Sequence, residues 1–193
     1  MISYAIITKG DRPDKLKALI DSIRTQPHEC EITIAVETGA GCLGLLRNQV
    51  CRSAKYPILA VCDDDLILDS DFIPGLLGFT EPWGVMCPKV LNPDGSRYWD
   101  WREVTENGQR MLEYHIPDAG NMIPPGCCVL LKREVFEHVK WDETIPFYTA
   151  PFEDIDFGIR LHEAGYKCTM NPFMTVHHND ERYYQTGNTV GKR

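Results

Sequence analysis

Two rhythms of apolar residues alternate along the first third of this chain, and together they predict its fold. Ser3-Tyr-Ala-Ile-Ile-Thr8 is a continuous β-prone run, the signature of a buried strand. Leu16, Leu19, Ile20 and Ile23 then recur at helical spacing, with Pro13 near the start, where proline suits a first helical turn. Ile32-Thr-Ile-Ala-Val36 predicts a second strand, Leu43, Leu46, Val50 and Ala54 a second helix, and Pro57-Ile-Leu-Ala-Val-Cys62 a third strand. This alternation implies a mostly parallel central sheet with helices on both faces, a three-layer α/β/α domain.

Further on the rhythm weakens. A strand is expected within Trp83–Lys89 and a turn at Asn92-Pro-Asp-Gly95. Residues 96–125 show no clear period and read as a site-lining loop or hairpin. Cys127–Leu131 predicts a strand and Arg133–Val139 a short helix. Glu153–Ala164 alternates like a strand at Ile155, Phe157, Ile159 and Leu161, but Gly165 looks like a helix C-terminal cap, which favours helix.

Composition narrows the functions available. The chain has 193 residues with 20 Lys and Arg against 28 Asp and Glu, a net charge of -8. An acidic surface disfavours extended nucleic-acid binding, which depends on neutralising phosphates. No apolar run approaches the ~20 residues of a membrane span, and the N-terminus runs into a strand without signal-peptide features. No repeat or linker divides the chain, so one domain over 1–193 is expected. None of the eight cysteines forms a C-x-x-C pair, and several lie inside apolar strands. They read as reduced structural thiols, which points to a soluble protein of the cytoplasm or another reducing compartment.

The sharpest chemical feature is Cys62-Asp63-Asp64-Asp65. Three carboxylates after a buried parallel strand lie where open α/β sheets place their ligands. Their mutual repulsion calls for compensation, most simply by a hard divalent cation; a solvated acidic turn is the plainer alternative. Glu153-Asp-Ile-Asp156 opens the last helix, where carboxylates also serve as capping groups. His177-His178 ends a strand-like stretch, and imidazole beside an aspartate cluster suits Mn²⁺ or a similar ion.

In this order the motifs resemble the family 2 glycosyltransferases of the GT-A fold. The matching stretches begin with Ile6-Ile-Thr-Lys-Gly-Asp-Arg-Pro-Asp-Lys-Leu16, Leu46-Arg-Asn-Gln49 and Ile58-Leu-Ala-Val-Cys-Asp-Asp-Asp65. They continue with Gly126-Cys-Cys-Val-Leu-Leu-Lys-Arg-Glu-Val-Phe136, Trp141-Asp-Glu143, Glu153 to Lys167 and Val176-His-His178. The resemblance implies a metal-dependent, inverting transferase moving a sugar from a nucleotide-sugar donor to a saccharide or other hydroxyl acceptor, with Mn²⁺ or Mg²⁺ as cofactor. It also implies a donor half over 1–95 and an acceptor and catalytic half over 96–193.

By the same resemblance, Asp154 is the catalytic base, with Glu153 orienting sugar hydroxyls. Thr8, Arg12, Glu37, Arg47, Asp63 and Asp64 line the donor pocket, and Asp65 holds the metal with His178 or His177. If the last strand is extended, Met174 and Val176 face inward and carry His178 with them, which favours His178. Trp99, Trp101 and Gly126 are placed on the acceptor side; an exposed indole in this irregular stretch could stack on a sugar face, and ordinary packing is the equal alternative for each tryptophan. The second strand ends in Glu37-Thr-Gly rather than the family's usual acidic pair. The alternatives are a sugar-nucleotide-binding module without turnover and a metal-dependent phosphohydrolase.

Overall fold

The computed structural model describes residues 1–39, 41–147 and 152–179. Its first strand, β1 (Ile2–Thr8), is buried at every position. α1 (Pro13–Arg24) returns along the sheet with proline in its first turn, and buries Leu19 and Ile23. β2 (Cys30–Val36) pairs parallel with β1 at one edge, leaving Ile34 and Val36 exposed. α2 (Leu43–Ser53) leads into β3 (Ile58–Asp63), parallel to the other side of β1. The expected parallel βαβαβ unit is therefore present.

A short β4 (Leu66–Leu68) and α3 (Phe72–Gly78) follow, then β5 (Val85–Leu91). The stretch read as a loop or hairpin forms a second, three-stranded sheet from β6 (Arg102–Thr105), β7 (Gly108–Met111) and β8 (Met122–Ile123). β9 (Cys128–Lys132), α4 (Arg133–His138), α5 (Glu153–Glu163) and β10 (Cys168–His178) complete the described elements. The main sheet has the order β2-β1-β3-β9-β5-β10-β4, with β9 and β4 antiparallel to their neighbours.

Helices cover both faces, as the sequence predicts. α1 and α3 close one core around Tyr4, Ile6, Leu66, Met86 and Val176. On the other, α2, α4 and α5 pack over Val61, Val85, Trp141 and Phe157. Trp141 and Phe157 stack at 3.8 Å between ring centres, a pairing that adds about 0.5–1.5 kcal/mol to the area buried.

Two local devices fix the start of α5 beside the ends of the strands. Asn48 on α2 donates to the Trp141 carbonyl at 2.8 Å and accepts from its N–H at 3.1 Å, holding the segment that approaches the helix. Gly158 then lets α5 lie against β8, since a Cβ there would sit 2.6 Å from Ile123 Cδ1. At the other end Gly165 adopts φ 83° and Tyr166 N–H bonds back to Leu161 O at 2.9 Å, a C-terminal cap.

Candidate active site

Three features converge at the C-terminal end of the sheet: the end of β3, the first turn of α5 and the last residue of β10. Asp63 closes β3, and its backbone N–H donates to Cys127 O at 2.9 Å, which anchors the acidic turn to the adjoining chain. Asn179 N–H donates to Asp65 O at 2.6 Å, and His178 is paired in register with Leu66. Sequence-distant Asp65 and His178 are thereby brought together by backbone pairing.

The three aspartates have different environments. Asp64 is fully buried and accepts from the Thr8 hydroxyl and from Arg12, so it fastens β1 to the acidic turn. Burial raises the Asp64 carboxyl from its ordinary range, opposed by Thr8 and Arg12. Asp63 faces Arg47 at 3.1 Å. Enclosure within the pocket pushes Asp63 up to about 7; Arg47 opposes that rise, while Asp65, Glu153 and Asp64 add to it. Asp65 accepts from Arg12 at 2.5 Å through Oδ2. Its Oδ1 is buried, has no hydrogen-bond partner among the described residues, and lies 3.8 Å from His178 Nε2.

His178 and His177 point to opposite sides of β10. His178 is 5% exposed and stacks on Tyr98 with ring centres 4.4 Å apart. His177 is more open and reaches Asp69 at 3.1 Å, away from Asp65. The two imidazoles therefore do not share one site, and the one facing Asp65 follows buried Met174 and Val176, as the alternation of an extended strand requires.

Arg47 is the central cation. It bridges Asp63 and Glu153, each at 3.1 Å, and is 2% exposed. Burial works against its charge, but Asp63 and Glu153 more than offset this and raise its pKa. Its Nε and Nη1 are buried and have no hydrogen-bond partner among the described residues. Asp154, next along α5, receives the guanidinium of Arg102 on Oδ2 and its neighbour's backbone N–H, that of Ile155, on Oδ1 at 2.9 Å. Gly126 lies against the same carboxylate: a Cβ there would meet Asp154 Oδ2 at 3.3 Å.

Glu37 stands at the end of β2 and turns its carboxylate onto the N–H groups of Gly39 and Gly41, at 2.6 and 3.4 Å. It shapes the loop that leads into α2. Trp99 is half-buried, with the Arg102 guanidinium 5.8 Å from its ring centre. For Trp101 the structure takes the packing alternative rather than that of an acceptor platform. It is 1% exposed within the core and its indole N–H donates to Ile116 O at 2.9 Å, so no face of it is open to a sugar.

The sequence reading missed Arg102 and Tyr98. Both lie in the segment without a clear period, where only the tryptophans stood out. Arg102-Glu-Val-Thr105 offers only the β-prone Val-Thr pair, too short a signal to place Arg102 on a strand.

Residues 5–188 match the family described as glycosyltransferase like family 2. The chain belongs to that family. A curated relative, the uncharacterized protein y4gI of Sinorhizobium fredii (strain NBRC 101917 / NGR234), is 22% identical over 171 residues, covering 77% of this chain. The chain spans only 18% of that relative's length.

Among solved structures, GalNAc-T7 with UDP, GalNAc and Mn²⁺ superposes with a TM-score of 0.70 at 12% identity, over 92% of this chain and 43% of that one. A Drosophila β1,4-galactosyltransferase 7 variant with manganese, UDP-Gal and xylobiose gives 0.60 at 18%, over 98% and 75%. S. aureus TarS with UDP-GlcNAc gives 0.62 at 12%, over 97% and 61%. The fold is that of the GT-A glycosyltransferases. No helix among the described residues is long and apolar enough to cross a membrane.

Proposed function

We propose that this chain is a metal-dependent, inverting glycosyltransferase domain that takes a sugar from a nucleoside-diphosphate donor and gives it to a hydroxyl acceptor. One observation carries the reading: the buried Oδ1 of Asp65, without a hydrogen bond among the described residues, faces His178 Nε2 at 3.8 Å, and Asp63 in the same turn is joined through Arg47 to the first turn of α5, which bears Asp154. An oxygen and an imidazole nitrogen at that separation fit a shared divalent ion of the Mn²⁺ or Mg²⁺ type. The manganese and uridine nucleotides bound by the neighbouring folds support the same assignment.

Asp65 and His178 would hold the ion, which when bound offsets the negative charge of a departing diphosphate. Arg47 contributes to the same end through its unpartnered nitrogens, and Asp63 hydrogen-bonds the ribose. Thr8, Arg12 and Asp64 form the floor beneath the nucleoside, and Glu37 sets the loop at its edge. This donor side is drawn chiefly from residues 1–95.

Asp154 is the base. The acceptor oxygen bonds to the anomeric carbon as the bond from that carbon to the diphosphate oxygen breaks; the electron pair leaves with the nucleoside diphosphate and the proton passes to Asp154. Attack from the face opposite the leaving group inverts the configuration. Glu153 orients sugar hydroxyls, Trp99 offers the acceptor a face, and Gly126 keeps the space beside the base open. A transfer assay over a panel of nucleotide sugars with Mn²⁺, its products analysed by NMR, tests the reading. Inverted transfer product is expected; donor binding without turnover, or phosphate release from simple esters without any acceptor, would overturn it.

A further inference from the structure

A second cluster of ligating side chains lies outside the pocket. Asp118, in the loop before β8, His162 in the last turn of α5 and Cys168 at the start of β10 bring one oxygen, one nitrogen and one sulfur within 4.8 Å of one another. His162 and Cys168 flank the capped turn at Gly165, so a single helix–turn–strand corner supplies two of the groups. The third comes from a segment more than forty residues earlier. None of the three has a part in the proposed sugar transfer.

We propose that this cluster is a structural zinc site. The donor set decides the metal: thiolate, imidazole and carboxylate together are zinc ligands, whereas Mg²⁺ and Mn²⁺ favour oxygen-rich sites. The carboxylate is already oriented. Asp118 Oδ1 accepts from the N–H groups of Gly120, Asn121 and Met122 at 2.7, 3.3 and 3.3 Å. Its Oδ2 accepts from His162 Nε2 at 2.8 Å and from the Cys168 backbone at 2.7 Å. Tetrahedral bonds of about 2.0–2.3 Å put ligand atoms roughly 3.3–3.6 Å apart. Opening the Asp118–His162 contact by about half an ångström therefore admits the ion, a side-chain rotation rather than a backbone shift. Asp118 and Cys168 are buried, at 6% and 4%, and His162 closes the outer side, which is the enclosure expected of a structural site. Cys87, beside Cys168 on the adjoining β5, is a further sulfur within the same enclosure.

Such an ion would tie the small sheet's last loop to α5 and β10. The test uses the full chain purified without chelator, dialysed against zinc and assayed for metal by mass spectrometry. One zinc per chain is expected, falling at least tenfold in His162→Gln and in Cys168→Ser and remaining at one in Asp65→Ala. Cobalt substituted into the unaltered chain should give a thiolate-to-cobalt charge-transfer band, a readout that needs no variant to fold. A chain without stoichiometric zinc, zinc retained in both His162→Gln and Cys168→Ser, or a cobalt complex lacking the thiolate band would each overturn the proposal. Loss or retention of sugar transfer bears on the other pocket alone, because the two sites share no residue.

Discussion

Arg102, at the start of β6, donates into the carboxylate of Asp154 in the first turn of α5. The pairing joins the small sheet to the residue proposed as base and leaves that carboxylate oriented by two donors from opposite sides. Asp154→Asn keeps the shape but removes the basicity, and should lower transfer by about 10²–10⁴-fold while donor binding persists. Arg102→Gln removes the orienting cation, and about a tenfold fall in kcat with little change in donor KM is expected. Steady-state kinetics on both variants checks the pair; near-normal turnover by Asp154→Asn would refute the assignment.

The metal assignment separates two adjacent histidines. Asp65→Ala should abolish the Mn²⁺-dependent part of thermal stabilisation by a nucleoside diphosphate. His178→Ala should weaken it more than His177→Ala, because only His178 faces Asp65. Equal effects of the two histidine variants in a thermal-shift titration would count against the site.

On the proposed reading, Glu37 acts through the loop it holds rather than at the reacting carbon. Glu37→Ala releases the N–H groups of Gly39 and Gly41. It should raise donor KM several-fold with a smaller effect on kcat, the pattern of lost uniform binding. A large loss of kcat at unchanged KM would assign the residue to chemistry instead.

The two tryptophans should part company under mutation. Trp101→Ala empties a core position and removes the hydrogen bond to Ile116, costing about 3–5 kcal/mol of stability. Trp99→Ala should leave stability nearly unchanged and raise acceptor KM. Denaturant unfolding beside acceptor kinetics distinguishes them.

Gly126→Ala probes the space beside the base. Its new methyl would press on Asp154 at 3.3 Å, displacing the carboxylate by a few tenths of an ångström. A drop in kcat of about tenfold is expected with donor KM unchanged, and crystallography of the variant would show the shift.

What the sequence disclosed depended on length and period. β1 through β3 were legible because each strand carries at least five residues of continuous β-prone pattern and each helix about three turns of apolar spacing. α3 was hidden by its composition, Phe72-Ile-Pro-Gly-Leu-Leu-Gly78, which argues against helix until Pro74 is seen to lie in the first turn, where its missing N–H costs nothing. β4 and β8 have three and two residues, too few for any period. The acidic turn, the carboxylates of α5 and the late histidine were readable as chemistry. Their neighbours Arg102 and Tyr98 were not, since a contact with a sequence-distant residue leaves no local pattern. Trp101 shows the converse: an aromatic in an irregular stretch looked like a platform, but its N–H had found a carbonyl inside the protein.

The placement of β10 has a consequence for the order in which the molecule is made. This strand is the last described element, yet it enters between β5 and β4 rather than at an edge. β4 follows directly on the acidic turn, and among the described residues its one sheet neighbour is β10. Synthesis runs from the N-terminus, so β1, β2 and β3 are made while Asp65 still has no imidazole to face it. If Asp65 and His178 hold a cation as proposed, that site is complete only when residue 178 has joined the sheet, about 110 residues after the aspartates themselves. Nucleotide-dependent protection of a nascent chain would therefore switch on late and in one step, a clock for the completion of the sheet.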